Sequence, residues 1–470
     1  MTHALRLSKL DAIGEARNMS LNLQFLGATE TVTGSRFLIT NNEEAVLVDC
    51  GLFQGVRDIR KKNSEPFPID PKKISAVLLT HAHLDHCGYL PALVKDGFSG
   101  PVYVTKYGAK LAAVVLHDSA HIHEEDAKFG EEAPLYNSGD VERTIALFKI
   151  VNFRESFKVT ENISATYFPS GHILGSAFLE VKSDGKSLLF TSDMGRENHP
   201  LLSPPDNPPG SDIAALITES TYGNRVHEND ISEFATEINN GIKRGGSILI
   251  PAFAIDRTEV ILMALRDLIE NKQIPAIPIY VDSPMAIAAL NLYRQAIIEN
   301  APEIRAGISA KWQGEDPFNA GGLVQALAVE QSKLLPIEDE PSIIISASGM
   351  ATGGRVVHHL KDMLGDEKNT VILVGFQALG SRGRMLEDGI NRIRIFGDWI
   401  NVKAHISKIE SFSVHADRDE LVKWFKKCGA VNQVFIVHGE QESQVALRDA
   451  LAKEFNWSAA IPKTLDRYSI

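Results

Sequence analysis

The sequence predicts a mixed α/β protein with more than one domain. Short apolar segments recur through the first half of the chain, and each ends in a polar or glycine-containing turn. A second series of apolar segments alternates with stretches of helical periodicity, as expected of parallel αβ units. The 470 residues, of which 44% are hydrophobic, suffice for several buried cores.

The individual elements follow from this patterning. Helices are predicted over residues 258–271 and 418–427, where apolar residues recur at helical spacing. Pro278 lacks a backbone N–H, so it favours an edge position for the strand that contains it. Five prolines make residues 200–209 a rigid connector. The predicted strands are 21–27, 45–48, 74–79, 188–191 and 214–218 in the first series, and 247–251, 277–281, 343–346 and 370–374 in the second.

Four potential metal ligands follow the third predicted strand. Residues 78–88 read Leu-Leu-Thr-His-Ala-His-Leu-Asp-His-Cys-Gly. A strand that ends in a turn can direct His81 and His83 at one ion, and Asp85 and His86 at a second. Mixed nitrogen and oxygen ligands at this density fit Zn²⁺, and two adjacent metals suit hydrolysis. We therefore predict a metal site here, in preference to a chance cluster of solvated histidines.

Further ligands are expected from elsewhere in the chain. His172 stands in a polar break, Pro-Ser-Gly-His, between extended segments, and Asp193 ends an apolar strand beside a turn glycine. Asp49 ends an earlier strand in Val-Leu-Val-Asp-Cys-Gly. Each residue alone is weak evidence, because histidines in loops and Asp-X-Gly turns are common. Their order along the chain makes them informative.

That order resembles the metallo-β-lactamase superfamily, whose signature is His-X-His-X-Asp-His followed by a distal His and a distal Asp. The resemblance implies that His81, His83 and His172 hold one zinc and that Asp85 and His86 hold the other. Asp193 would bridge the two ions, giving two Zn²⁺ per chain. Asp49 would bind neither ion but would orient the histidine-rich loop through hydrogen bonds.

Three later motifs resemble the β-CASP branch of this superfamily. Glu219 in Ile-Thr-Glu-Ser-Thr resembles its motif A, His415 in Phe-Ser-Val-His-Ala-Asp its motif B, and His438 in Ile-Val-His-Gly-Glu its motif C. The motif C histidine of this family completes the second zinc site, and a histidine there resembles the RNA-acting subgroup. The catalytic residues implied are Asp85, Glu219 and His415, with His415 as a general acid hydrogen-bonded to Glu219.

The resemblance implies a metallo-β-lactamase αβ/βα sandwich with an inserted α/β β-CASP cap. The expected division is an N-terminal extension at 1–18, the lactamase domain at 19–223 and 411–470, and the cap at 224–410. Ligands gather beyond the carboxyl ends of parallel strands, so the cap loops are expected to contact RNA. The glycine-rich turn at 346–355 could cradle phosphate, although such a turn alone is more often only a turn. The predicted RNA contacts are Arg225, Ser348, Gly349, Arg355 and Arg382.

Composition restricts the partners and the compartment. The net charge of −12 argues against indiscriminate nucleic-acid binding, so RNA binding is expected to be confined to a metal-lined cleft. No apolar run of about 18 residues and no signal-peptide pattern is evident, which favours a cytoplasmic protein without membrane contact. Three dispersed cysteines predict no disulfide framework, and Cys50 and Cys87 are expected to pack beside the metal site without binding metal.

The function predicted is therefore zinc-dependent hydrolysis of RNA phosphodiesters, as an endonuclease, a 5′-exonuclease or both. Single-stranded RNA is the expected partner, and a homodimer is compatible with the sequence. Two alternatives remain open at this stage. The same metals could hydrolyse a small ester, thioester or lactam, although such substrates need no large cap. The chain could also be a non-catalytic RNA-binding scaffold, which the complete ligand set disfavours.

Overall fold

The computed structural model of the chain describes residues 21–129, 133–227, 230–312, 314–326, 332, 335 and 340–470. The predicted N-terminal extension, 1–18, lies outside the described residues. The described part contains two seven-stranded sheets, one six-stranded sheet and a two-stranded hairpin. We call the pair of seven-stranded sheets with its helices the sandwich lobe, and the six-stranded sheet with its helices the cap lobe.

The first sheet of the sandwich lobe has the strand order β22-β1-β2-β3-β4-β5-β6. Strand β1 pairs antiparallel with β2 and with the C-terminal β22, whereas β3 to β6 are parallel. Its strands are β1 (Asn22–Phe25), β2 (Phe37–Asn41), β3 (Glu44–Val48), β4 (Ala76–Leu78), β5 (Val102–Thr105), β6 (Phe148–Val151) and β22 (Arg467–Ser469).

The second sheet has the order β21-β20-β11-β10-β9-β8-β7. Strands β7 to β10 run antiparallel to one another, and β10, β11, β20 and β21 are parallel. Its strands are β7 (Ser156–Lys158), β8 (Ile163–Pro169), β9 (Ala177–Ser183), β10 (Lys186–Phe190), β11 (Ile213–Thr218), β20 (Val431–Ile436) and β21 (Ala459–Ala460).

The two sheets pack face to face through a buried apolar core. Phe25 and Phe37 from the first sheet meet Phe190 and Phe435 from the second, with ring centroids 5.2 to 6.0 Å apart. Helices cover the outer faces, so the lobe is a four-layered αβ/βα sandwich. Its helices are α1 (Arg57–Lys61), α2 (Leu84–Cys87), α3 (Leu90–Lys95), α4 (Lys106–Phe129), α5 (Ser138–Ile145), α12 (Arg418–Phe425) and α13 (Gln441–Phe455).

The cap lobe is built on a parallel sheet of order β14-β13-β15-β12-β16-β19. Its strands are β12 (Ile248–Pro251), β13 (Ile279–Val281), β14 (Leu323–Gln325), β15 (Ile343–Ser346), β16 (Thr370–Val374) and β19 (His405–Ile409), with the hairpin β17 (Arg392–Ile395) and β18 (Asp398–Asn401) beside it. Its helices are α6 (Ser232–Arg244), α7 (Arg257–Glu270), α8 (Pro284–Ile298), α9 (Ile308–Lys311), α10 (Arg355–Met363) and α11 (Arg382–Glu387). This architecture confirms the predicted α/β sandwich with an inserted α/β cap.

One strand position differs from the sequence prediction. Strand β13 was expected at an edge because of Pro278, but it lies between β14 and β15 and pairs with both. Pro278 precedes the first residue of the strand, and its carbonyl oxygen accepts a hydrogen bond from the Ile343 N–H at 2.9 Å. A proline at this point removes no N–H from the ladder, so an interior position is tolerated.

The two lobes share one apolar core. A continuous cluster of buried side chains includes Leu174 and Leu202 from the sandwich lobe together with Ile287 and Ile304 from the cap. An interface of this composition holds the two lobes in a defined arrangement, because burying apolar surface is the main favourable term in association.

A buried polar node crosses the same interface. Asp256, at the start of α7, accepts hydrogen bonds from the Tyr293 hydroxyl at 2.5 Å and from His199 Nε2 at 2.9 Å. The Tyr293 oxygen accepts in turn from the Leu174 N–H at 3.0 Å. Leu174 lies two residues after His172, so this node links the cap to a segment that carries a predicted metal ligand.

No helix within the described ranges is both long and apolar enough to cross a lipid bilayer.

Replacing Tyr293 with Phe tests this node. The substitution leaves the Leu174 N–H and one oxygen of Asp256 without their buried partner, so we expect the free energy of unfolding to fall by about 1–3 kcal/mol. Urea unfolding of both proteins measures the change. Tyr468→Phe is the matched control, because its hydroxyl forms no hydrogen bond within the described part of the chain. Equal stability of the two variants would contradict the assignment.

Candidate metal centre

The residues predicted as metal ligands come together where strands of both sheets end. His81, His172, Asp193 and His438 each lie two or three residues beyond the carboxyl end of a strand, where the backbone leaves the ladder and a side chain can turn toward the centre. His83, Asp85 and His86 follow His81 in the same loop. The strand ends that supply ligands are those of β4 before His81, β8 before His172, β10 before Asp193 and β20 before His438, and the end of β11 supplies Glu219 beside them.

The first cluster consists of three imidazoles and one carboxylate. His83 Nδ1 lies 3.2 Å from His81 Nε2 and 3.1 Å from His172 Nε2. Asp193 Oδ2 lies 3.5 Å from His81 Nε2 and 3.6 Å from His172 Nε2. All four groups are buried or nearly so, and each presents one ligand atom to the same point.

The second cluster adjoins the first and shares Asp193. His438 Nε2 lies 3.3 Å from His86 Nε2 and 3.2 Å from Asp85 Oδ2. Asp193 Oδ1 lies 3.4 Å from His86 Nε2, so the two oxygens of this carboxylate face different clusters. Asp193 is thereby placed as a bridge between two groups of potential ligands.

The donor atoms are spaced as a metal requires. Four ligands about 2.1 Å from a tetrahedral zinc are about 3.4 Å apart, and the separations in both clusters are close to that value. Burial, followed by the neighbouring imidazoles, lowers the pKa of His81 and His172 well below the ordinary value, so both rings are neutral ligands. Asp193 Oδ1 is buried without a hydrogen-bond partner among the described residues. The residues present therefore fit a metal.

Asp49 and Thr80 orient the histidine-rich loop. Asp49 accepts hydrogen bonds from His86 Nδ1 at 2.7 Å and from the Thr80 hydroxyl at 2.8 Å. The Thr80 oxygen lies 3.1 Å from His81 Nδ1, and because its proton points to Asp49 it accepts from that ring. Both rings thus direct Nε2 at the metal position, in the tautomer that ligation needs. Thr80 was missed at the sequence level, although it directly precedes His81.

Glu219 organises the other side of the centre in the same way. Its Oε2 accepts from the Thr221 hydroxyl at 2.6 Å, and the Thr221 oxygen lies 3.2 Å from His438 Nδ1. The same Oε2 lies 3.1 Å from His415 Nδ1. His415 is 17% exposed, and its ring centroid is 4.3 Å from that of His172. His415 lies outside the two clusters described above, although with Asp193 and Glu219 it forms a third group whose ligand atoms lie close together.

Three arginines predicted to contact RNA have protein partners in the structure. Arg225 Nη1 lies 2.9 Å from Glu410, and Arg355 Nη1 lies 2.7 Å from the buried carboxylate of Asp282. Arg382 Nη1 donates to the carbonyl oxygens of residues 351 and 352 at 3.2 and 3.0 Å. A guanidinium has five N–H donors, so these contacts occupy part of each group. Their roles toward RNA stay predictions.

The glycine-rich turn after β15 is packed against two other cap loops. Ser348 Oγ accepts from the Thr352 N–H at 3.1 Å, and the Gly349 carbonyl accepts from Gln377 Nε2 at 3.1 Å. A Cβ added at Gly349 would lie 2.8 Å from the Phe253 ring, so the close approach requires glycine. Phe253 lies with its ring centroid 6.4 Å from that of His83. Phe253 therefore lies between this turn and His83 of the first cluster.

The cysteines are free thiols in the structure. Cys50 and Cys87 are buried, and Cys87 Sγ lies 3.4 Å from the carbonyl oxygen of Ala82. Within the described ranges, the His, Asp and Glu clusters that could hold a metal include neither thiol.

Three family descriptions match successive parts of the chain. Residues 31–225 match the metallo-beta-lactamase superfamily, residues 258–386 match the Beta-Casp domain, and residues 399–462 match the Zn-dependent metallo-hydrolase RNA specificity domain. A solved structure, that of a protein of unknown function from Enterococcus faecalis V583, shares the fold with a TM-score of 0.52 at 13% identity, covering 96% of this chain and 100% of that chain.

Two relatives match over almost their whole length. Ribonuclease TTHA0252 of Thermus thermophilus is 36% identical over 91% of this chain and 95% of its own. The RNase J-like protein of Methanocaldococcus jannaschii is 31% identical over 94% of this chain and 97% of its own. These similarities cover both lobes, including every motif described above. The chain belongs to the β-CASP family of metallo-β-lactamase-fold RNA nucleases.

Proposed function

We propose that this protein is a zinc-dependent hydrolase of RNA phosphodiester bonds. The observation that carries the proposal is the pair of adjacent ligand clusters joined by Asp193, with the His415–Glu219 pair beside them. Two metal sites that share a carboxylate, next to a group able to transfer a proton, suit displacement at phosphorus. The names of the relatives, a ribonuclease and an RNase J-like protein, support RNA as the substrate.

The residues that would hold zinc are the members of the two clusters. His81, His83, His172 and Asp193 would hold one ion, and Asp85, His86, His438 and Asp193 would hold the other. When bound, zinc supplies Lewis acidity, which acidifies water and stabilises negative charge on a phosphoryl group.

His415 is our candidate for the group that protonates the leaving oxygen. Its Nδ1 faces Glu219, so Nε2 is the ring atom left to give a proton to a substrate. Glu219 accepts the Nδ1 proton, fixes the ring plane and balances the charge of a doubly protonated imidazole. The main-chain N–H of Met194 donates to Glu219 Oε1 at 2.6 Å, which holds the carboxylate in place.

The remaining expectations concern cleavage mode and assembly. We propose single-stranded RNA as the substrate, because an extended strand enters a seam between two lobes more readily than a duplex does. The RNA would be cut internally, from the 5′ end or in both ways. A cytoplasmic location and a homodimer stay predictions from the sequence.

The ligand assignment predicts coupled loss of metal and activity. His81→Ala removes one ligand from the first cluster, so we expect less than the two zinc ions per chain that we assign to the wild type, and no cleavage of RNA. Elemental analysis measures the metal, and labelled single-stranded RNA, DNA and a chromogenic lactam assayed in parallel measure the substrate class. His117→Ala, an exposed histidine of the same lobe, is the control. A wild type that holds no zinc after reconstitution, or that cleaves only the lactam, would refute the proposal.

Removing the imidazole of His415 should slow catalysis without releasing metal. We expect His415→Ala to lower the single-turnover rate of RNA cleavage by about 10²- to 10⁴-fold, the range typical of a lost general acid. Zinc content should stay at the wild-type value. A variant that loses a zinc ion along with activity would identify His415 as a ligand instead.

Asp49 should control metal affinity although it binds no ion itself. Asp49 Oδ2 accepts from His86 Nδ1 and the Thr80 hydroxyl, and Oδ1 accepts from the Thr80 N–H at 2.8 Å. The amide of Asp49→Asn has one acceptor oxygen in place of two, so it cannot keep all three bonds, and we expect zinc affinity to fall about 10- to 100-fold. Competition with a chromogenic chelator measures this affinity. Asp58→Asn, on the exposed helix α1, should leave it unchanged. Wild-type affinity in Asp49→Asn would show that the loop holds its geometry without this carboxylate.

A further inference from the structure

One buried guanidinium in the cap has no hydrogen-bond partner to account for its burial. Arg257, the first residue of α7, is only 3% exposed, and its Nε and Nη1 atoms have no hydrogen-bond partner among the described residues. A charged donor that is buried without a partner destabilises the folded state. A fold retains that cost where the group meets an anion that is not part of the chain.

The backbone around Arg257 is shaped to admit the guanidinium. Gly375, the residue after β16, has φ +100°, which favours glycine, and a Cβ at this position would lie 2.7 Å from Arg257 Nη1. Any other side chain would collide with the guanidinium. The end of β16 and the start of α7, both cap elements, therefore form two sides of one site.

The third side comes from the segment that follows β11. The Tyr222 ring centroid is 6.1 Å from that of Phe376, the residue after Gly375. Burial raises the pKa of the Tyr222 hydroxyl, and the charge of Arg257 opposes that rise. The Tyr222 ring centroid is 6.1 Å from that of His415 and 4.5 Å from that of His227. Tyr222 therefore neighbours the proposed proton donor, His415, as well as the loop after β16 that contacts Arg257.

A second unpartnered nitrogen flanks Tyr222. His227 Nε2 is buried with no hydrogen-bond partner among the described residues. Burial, and after it the charge of Arg196, lowers the pKa of His227 to about 4, so the ring is neutral near pH 7 and can donate one N–H. Two donors without partners therefore lie around the same tyrosine, in a region where Arg196 and Arg257 also repel each other.

The carboxylates near this region are engaged with other groups. Asp256 accepts from Tyr293 and His199, as described for the interface node. Asp417 accepts from the backbone N–H groups of His227 and Glu420 at 2.8 and 2.9 Å. Glu410, whose charge acts on Tyr222 and His227, pairs with Arg225 and Lys408. The charge of Asp256 acts on Arg257, but none of these three carboxylates accepts a hydrogen bond from its guanidinium, whose Nε and Nη1 donors are left for an incoming anion.

We propose that Arg257 and His227 bind a phosphate of the RNA backbone that flanks the bond being cut. This inference rests on the proposed function and names a substrate contact within it. The ligand class is a phosphodiester of a single-stranded nucleic acid, because a guanidinium presents paired N–H donors that match two phosphate oxygens. Since Arg257 belongs to the cap and Tyr222 to the strand ends of the sandwich lobe, the phosphate would bridge the lobes and fix the strand relative to His415.

Stability of the RNA-free protein separates a ligand role from a structural one. Arg257→Gln removes a charge that has no partner, so we expect an unchanged or higher melting temperature. Arg36→Gln is the matched control, because Arg36 is equally buried but donates from Nε to the Gly51 carbonyl at 2.9 Å and stacks on Tyr89. Its melting temperature should fall. A fall of the same size in Arg257→Gln would overturn the proposal.

Binding to a cleavage-resistant strand locates the contact. The probe is a ten-nucleotide 2′-O-methyl RNA, checked for integrity after each titration, with a neutral methylphosphonate at one linkage at a time. Arg257→Gln should weaken binding of the unmodified probe about 10- to 100-fold and reduce the salt slope by about 0.7. At one linkage the methylphosphonate should weaken binding of the probe to the wild type but not to Arg257→Gln. Arg294→Gln, a cap arginine paired with Asp316, should match the wild type throughout. Equal losses of affinity in the wild type and in Arg257→Gln at every linkage would overturn the proposal.

Inorganic phosphate tests the site independently of RNA. Added phosphate should raise the melting temperature of the wild type more than that of Arg257→Gln, whereas binding at the metals alone shifts both proteins equally. Equal shifts would overturn the phosphate site. A wild type that binds no RNA but shows the larger phosphate shift would refute the proposed function while leaving the anion site in place.

Discussion

The metal centre depends on one buried carboxylate, Asp193, whose two oxygens face two clusters of imidazoles. Burial alone would raise the pKa of this group, yet the surrounding rings of His438, His86 and His81 lower it well below its ordinary value. Five imidazoles that converge on one buried carboxylate are the donor set expected of a metal centre. The strand ends, the tight loop of residues 81–86 and the tautomer-fixing hydrogen bonds all serve this arrangement.

Two carboxylate–threonine pairs hold the ligands from behind. Asp49 with Thr80 fixes the rings of the histidine-rich loop, and Glu219 with Thr221 fixes the ring of His438. In each pair the threonine gives its proton to the carboxylate, so toward the imidazole its oxygen acts as an acceptor. Glu219 differs because it also contacts His415, and this connects the geometry of the metal ligands to that of the proposed proton donor.

The cap has two relations to this centre. Its apolar contact with the sandwich lobe and the Asp256 node place its loops at a fixed distance from the strand ends. Its polar loops, in contrast, hold groups whose bonding is incomplete, and Arg257 is the clearest of them. The difference separates cap residues that maintain the fold from those that are free to contact a substrate. The arginines predicted from sequence to contact RNA pair with Glu410, Asp282 and backbone carbonyls, so they differ from Arg257 in having protein partners.

The sequence by itself determined the α/β class, nine of the 22 strand positions in the described part of the chain, and the family, because apolar periodicity and the spacing of His81 to His86 are local signals. It also named the residues that the structure brings together around Asp193. It missed short or half-exposed strands such as β7 and β17, whose pairing depends on neighbours, and it misplaced β13 because it could not show where Pro278 falls relative to the first ladder bond. Only the tertiary structure decided which polar groups find partners. Arg257 and Arg355 look alike in sequence, but folding brings Asp282 to one and leaves the other unpaired, because a counter-ion is supplied by distant segments.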